Sequence, residues 1–179
     1  MKVSKTLVIK ILIGLSIAFI VANVLSYLSG LLYIKVHVTK GEQRLVRLLS
    51  ETDYRVLLDA CRQLSSSVTS GELKPRQYNV RSHPDPEASL FPRPILNLEP
   101  TYVIIDSHGI VQIELYGGFE HYGVSAYPKD YKKPSWVEYG DRKLIDGLWY
   151  YDEDYKGNTS LQKKIEALIE KGQTRQHGN

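Results

Sequence analysis

One cysteine, Cys61, stands among 179 residues. That scarcity excludes an intrachain disulfide framework, a cysteine-rich zinc module and a CxxC redox pair. Net charge is scarce as well. The formal +3 is carried by Lys2, Lys5 and Lys10; beyond them basic and acidic residues balance. A balanced chain lacks the basic stripe that nucleic acid requires, so no nucleic-acid partner is expected. No repeat of 20–50 residues recurs, which argues against a solenoid or propeller. Charge is missing altogether from Ile11 to Ile34.

That uncharged run is the most informative stretch. Of its 24 residues, 18 are apolar, the others being Gly14, Ser16, Asn23, Ser26, Ser29 and Gly30. As a helix it measures about 36 Å, enough for a hydrocarbon core of ~30 Å. Tyr27 and Tyr33 lie toward its end, where amphipathic rings favour the interface. A buried core helix would show a polar face, and a cleavable leader has a shorter apolar core. The reading is therefore a single-pass anchor; cleavage near Ser26, giving a secreted protein, is the alternative. Lysines flank the run on both sides, so charge alone gives no clean orientation. A short basic tail before a long domain favours an extracytoplasmic C-terminal domain.

The remaining chain suits one α+β domain. Residues 41–68 carry apolar positions at helical spacing, with a break expected near residue 50, where Ser50 and Asp53 resemble a capping box. Cys61 lies on the apolar stripe and reads as a buried structural thiol. Residues 65–100 read as a connector in which Pro84, Pro86, Pro92 and Pro94 favour extended chain, with a short strand near 77–81. Thr101–Asp106 and Ile110–Tyr116 read as strands joined by Ser107-His108-Gly109. Ile110, Gln112, Glu114 and Tyr116 lie on one face of the second strand, Val111, Ile113 and Leu115 on the other. Val124–Tyr127 and Lys143–Tyr151 complete a sheet of about four antiparallel strands. A helix over 158–171 follows, with Gly172 as its stop. The organisation expected is a basic tail at 1–10, a transmembrane helix at 11–34, a soluble domain at 36–172 and a flexible tail at 173–179. The helix-then-sheet layout is similar in outline to a pilin-like subunit. Such subunits need a Glu inside the apolar stretch, and none stands between Ile11 and Ile34, so the analogy stops there.

Catalytic motifs fail on spacing. Gly118 to Gly123 has a phosphate-loop frame, but Val124 stands where Lys is needed. Ser125 begins a nucleophile elbow that Tyr127 interrupts. Ser160 to Lys163 matches S-x-x-K without its partner motifs. Asp152 and Asp154 open like a calcium loop, but Lys156 and Lys163 occupy ligand positions. The five histidines lack zinc-ligand spacing, so no metal site is expected. No cofactor is implied. Two concentrations remain. Glu114, Glu120 and His121 are the candidates for acid–base work near the Gly117–Gly123 loop. Twelve aromatic residues fall between 101 and 155, and Tyr122, Trp149 and Tyr151 are the candidate ligand-binding residues. Asn158-Thr159-Ser160 fits a glycosylation acceptor and, equally, a helix cap. The function expected is a non-catalytic binding or interaction domain tethered to a membrane. Its partners would be the lipid bilayer and an unidentified protein or small molecule. The alternative is a small tethered enzyme or ligand sensor near Glu120-His121.

Overall fold

The computed structural model describes the backbone of residues 5–116, 121–131, 141–152 and 159–177. The chain divides into two compact units, Met1–Lys40 and Gly41–Asn179.

The first unit is the greater part of helix α1 (Lys5–Val46). Leu15–Leu32 is long and apolar enough to cross a membrane, and all its side chains are exposed. Asn23 and Ser29 turn their polar groups back onto the helix. Asn23 Nδ2 donates to the Phe19 carbonyl at 2.8 Å, and Ser29 Oγ to that of Ser26 at 2.8 Å.

In the second unit the end of α1 passes into a π-helical turn, Arg47–Glu51, and then into α2 (Tyr54–Thr69). The break near residue 50 is present, but its chemistry differs from the capping box expected. Asp53 is itself the N-cap, accepting from Arg55 N–H at 2.9 Å and Val56 N–H at 3.2 Å. Ser50 instead donates to the Val46 carbonyl. An aspartate at this position satisfies donors that the first turn leaves unpaired. The apolar stripe of α2 buries Leu57, Leu58, Ala60, Cys61 and Leu64. Burying each leucine contributes roughly 1.5–3 kcal/mol. Gly71, at φ 81°, turns the chain out of the helix.

The sheet has six strands, not four: β1 (Arg76–Asn79), β2 (Tyr102–Ile105), β3 (Val111–Tyr116), β4 (Tyr122–Ala126), β5 (Arg142–Ile145) and β6 (Leu148–Asp152). All neighbours are antiparallel, in the order β1-β2-β3-β4-β6-β5. Two features raise the count. Arg76–Asn79 pairs with β2 as a true edge strand. The stretch expected as one strand over Lys143–Tyr151 folds back on itself at Asp146-Gly147, where Gly147 takes φ 89°. The fold class is α+β, as the pattern of helical and alternating segments implies.

The prolines also behave differently from the expectation. Pro86 opens a 3₁₀ turn (Pro86–Leu90), and Pro92 and Pro94 bracket the start of a short helix, α3 (Arg93–Leu96). Proline disrupts helix interiors but suits a first turn, where its missing N–H is no loss. Helix α4 (Thr159–His177) is longer than the sequence suggests. Gly172 is buried inside it and is not a stop, and Gln173, Arg175 and Gln176 are anchored rather than frayed.

Helix α2 packs on β2, β3, β4 and β5, while α4 packs on the π-turn and β5. The core lies beneath α2. Val103, Ile113, Val124 and Tyr150 form one buried row across the sheet, and Ile105, Val111, Ala126 and Leu148 the next.

Candidate functional site

Strand side chains alternate between faces, so residues between the core rows belong to the side turned away from α2. Register builds two rows there. Asn79, Tyr102, Glu114, Gly123 and Tyr151 make the first. Gln77, Ile104, Gln112, Ser125, Trp149 and Lys143 make the second. This face is polar and aromatic, yet not open throughout: Glu114 is only 8% exposed and Ser125 5%. Tyr102, Ile104, Trp149 and Tyr151 are half-buried.

Glu114 is the centre of the first row. Its Oε1 lies 3.1 Å from His121 Nδ1, the imidazole standing just before β4. The two meet because β3 and β4 pair Glu114 with Gly123, which brings the residue two positions before Gly123 alongside the carboxylate. The imidazole is the more exposed partner, at 42% of its side chain against 11% for Glu114. A buried carboxylate needs hydrogen-bond donors around it, and His121 supplies one in the tautomer protonated at Nδ1.

Gly123 fixes the spacing of the row. A Cβ at this position would collide with the Ile113 carbonyl oxygen and stand 3.0 Å from the Tyr151 hydroxyl. The absence of a side chain lets β3 and β4 approach, and lets Tyr151 lie across the strand toward Glu114's neighbour in the row.

Of the candidates named from sequence, the structure brings Glu114, His121, Trp149 and Tyr151 to one face. Tyr122 goes to the other. It is paired with Asp152 and buried beside Tyr150 on the α2 side. Glu120 lies outside the described residues, as do Trp136, Asp154, Lys156 and Asn158. Sequence reasoning did not find the buried group around Tyr150. Its hydroxyl donates to Asp152 Oδ2 at 2.9 Å, and Asp152 is 6% exposed. Burial, reinforced by the neighbouring Asp152 charge, pushes the Tyr150 phenol far above its ordinary range. The run Leu148-Trp149-Tyr150-Tyr151 has no apolar–polar alternation in the sequence, so nothing there tells which ring is buried. Burial likewise pushes the Cys61 thiol up to about 12, which keeps it protonated and unreactive.

Among the described residues, no three His, Cys, Asp or Glu side chains converge to hold a metal ion. The face can do two things chemically. It can accept hydrogen bonds at the nearly buried Glu114 side chain, and it can present aromatic rings to a flat or apolar ligand. Compared with models of known families, with curated proteins and with solved structures, the chain matches none.

Proposed function

We propose that the protein is a single-pass, membrane-anchored binding domain, with the sheet face opposite α2 as its binding surface. The observation that carries the reading is Glu114: a carboxylate nearly buried on that face, paired with His121 and set in a row with Tyr102 and Tyr151. A side-chain carboxyl held away from water needs hydrogen-bond partners, and on the outer face of the sheet a ligand can supply those that the protein does not. The partner is a protein segment or a small molecule, and the second partner is the bilayer itself. Leu15–Leu32 supplies the anchor, because an exposed apolar helix of that length is best solvated by lipid. With Lys2, Lys5 and Lys10 retained on the cytoplasmic side, the domain stands outside. If the leader is instead cut near Ser26, the same domain is released, and the mass of the mature N-terminus separates the two forms.

A fragment screen by nuclear magnetic resonance on the full chain in detergent tests the binding reading. Binders are expected to concentrate their shift changes on Glu114, His121, Ser125, Trp149 and Tyr151, and to weaken about tenfold in Glu114→Gln, the worth of one charged hydrogen bond. Shifts scattered over other surfaces, or equal affinity in Glu114→Gln, would contradict it.

The Glu114–His121 contact also favours a second reading, acid–base catalysis, since a carboxylate that orients an imidazole is half of a general-base relay. Within the described contacts no hydroxyl or thiol is hydrogen-bonded to His121, so a substrate or a water would have to supply the nucleophile. Turnover of an ester panel that disappears in His121→Gln would favour this reading over simple binding.

A further inference from the structure

The last turn of α1 is wider than the rest of the helix. Thr52 N–H donates at 3.0 Å to the carbonyl of Arg47, five residues back, which is the π-helical pattern. Such turns are rare and often mark functional positions. This one is held from several directions. The Ser50 hydroxyl donates to the Val46 carbonyl at 2.9 Å, and that of Thr52 to Arg47 at 2.9 Å. The Tyr54 hydroxyl donates to the Leu49 carbonyl. The end of α4 closes the arrangement. Arg175 donates to the Glu51 carbonyl at 2.9 Å, and Gln176 to that of Thr52 at 3.1 Å. Gly172 lies so near the turn that a Cβ would strike the Leu49 carbonyl oxygen.

The same stretch of α4 holds the sheet. The Gln173 amide donates to the carbonyls of Lys143 and Leu144 in β5, at 3.1 and 3.0 Å. Strand β5 is the sheet edge, paired with β6, which carries Trp149 and Tyr151. Within five residues, then, α4 grips two otherwise separate elements: the outer strand and the wide turn that ends α1.

We infer that residues 172–176 form a coupling strap that fixes the edge of the sheet and the π-turn of α1 in one joint arrangement. Detaching β5 from Gln173 releases the π-turn. Releasing the π-turn frees β5. Once released, the turn can tighten to the ordinary four-residue hydrogen-bond pattern, which re-aims Leu48 and Leu49 relative to the helix before them. The strap does not require the sheet face to bind anything. If that face does bind, the path β6, β5, α4 is how occupancy reaches the π-turn, and in that clause alone the inference rests on the binding reading.

Thermodynamic coupling is reciprocal, and this gives the test. Amide hydrogen exchange is compared for the full chain in detergent, for Gln173→Ala and for the double variant Arg175→Ala with Gln176→Ala. Gln173→Ala removes contacts to β5 only. It is expected to speed exchange of Leu48–Thr52 roughly threefold to tenfold, within the worth of the two hydrogen bonds lost, while Val103 and Ile113 stay protected. The double variant removes contacts to the π-turn region only, and is expected to speed exchange of Arg142–Ile145 by a similar factor. Gln173→Asn keeps the amide but shortens its reach, and is expected to show the same pattern at smaller amplitude. Faster exchange confined to the segment that lost its own hydrogen bonds would overturn the inference. So would an even rise across the core strands, because that would be general destabilisation without a strap.

Discussion

Gly123 shows how one missing side chain organises the site. Its neighbour across β3 comes too close for any Cβ, and its other neighbour, Tyr151, occupies the space above it. Gly123→Ala therefore has to push β3 and β4 apart. The expected cost is about 1–3 kcal/mol, the range of an overpacked core position, read as a lowered denaturation midpoint of the full chain in detergent. Loss of the Glu114–His121 contact should accompany it, seen as a changed His121 ring resonance. Glu99 makes a different residue-scale prediction. Its backbone adopts φ 53°, its side chain is over half exposed, and the carboxylate receives a hydrogen bond from Arg47 at 3.1 Å, with Arg44 nearby at 3.7 Å. The Arg47 hydrogen bond, and then the two guanidinium charges, hold its carboxyl below the ordinary value. A depressed folded pKa means that the stabilisation is full above the unfolded carboxyl range and is lost as pH falls through the folded value. The melting temperature of Glu99→Gln should then lie below that of the parent at pH 7, and the gap should close as the pH is lowered beneath about 4. A gap that is constant with pH would show that the charge on Glu99 is not its cause, and no gap at pH 7 would show that the pairing contributes nothing.

Elements were legible in the sequence to the degree that their periodicity was local. The alternation of Val111, Ile113 and Leu115 against Gln112 and Glu114 has a period of two and placed β3 with the correct faces. The stripe from Leu57 to Leu64 did the same for α2. Asp53 starts that helix, and Asp53→Ala should lower stability by about 1 kcal/mol, measured by chemical denaturation, with Asp53→Asn close to neutral. Three features escaped because their cause is tertiary or positional. Gly172 looked like a stop and is instead a close approach to Leu49. The prolines of residues 84–94 looked like extended chain, and three of them stand at the openings of short helical turns. Asp146-Gly147 is a hairpin signal, and it divides the stretch expected as one strand over Lys143–Tyr151 into β5 and β6. The candidate site was legible as a set of residue types and not as a geometry. Glu114 and His121 are seven residues apart, and only the β3–β4 register brings them to 3.1 Å. The same register sends Tyr122 to the opposite side.

At the scale of the whole molecule, two units share one chain: an apolar helix with every side chain from residue 15 to 32 exposed, and an α+β body with its core between the sheet and α2. The second unit is an ordinary folded domain by its physics, with aliphatic rows inside and its sheet edges engaged: β1 by the 3₁₀ turn at Pro86–Leu90, β5 by α4. Engaged edges blunt edge-to-edge association. The first unit gives the account its address. Water is a poor solvent for eighteen consecutive apolar-rich residues with nothing packed on them, and a bilayer is a good one. Extraction of membranes at alkaline pH tests this most directly. The account predicts that the intact chain stays in the bilayer pellet and leaves it only with detergent, and that replacing Val21 and Val24 by lysine, at about 2.5–3.5 kcal/mol per charge, moves it to the supernatant. Full-length, monomeric protein recovered from the aqueous fraction without detergent would contradict it.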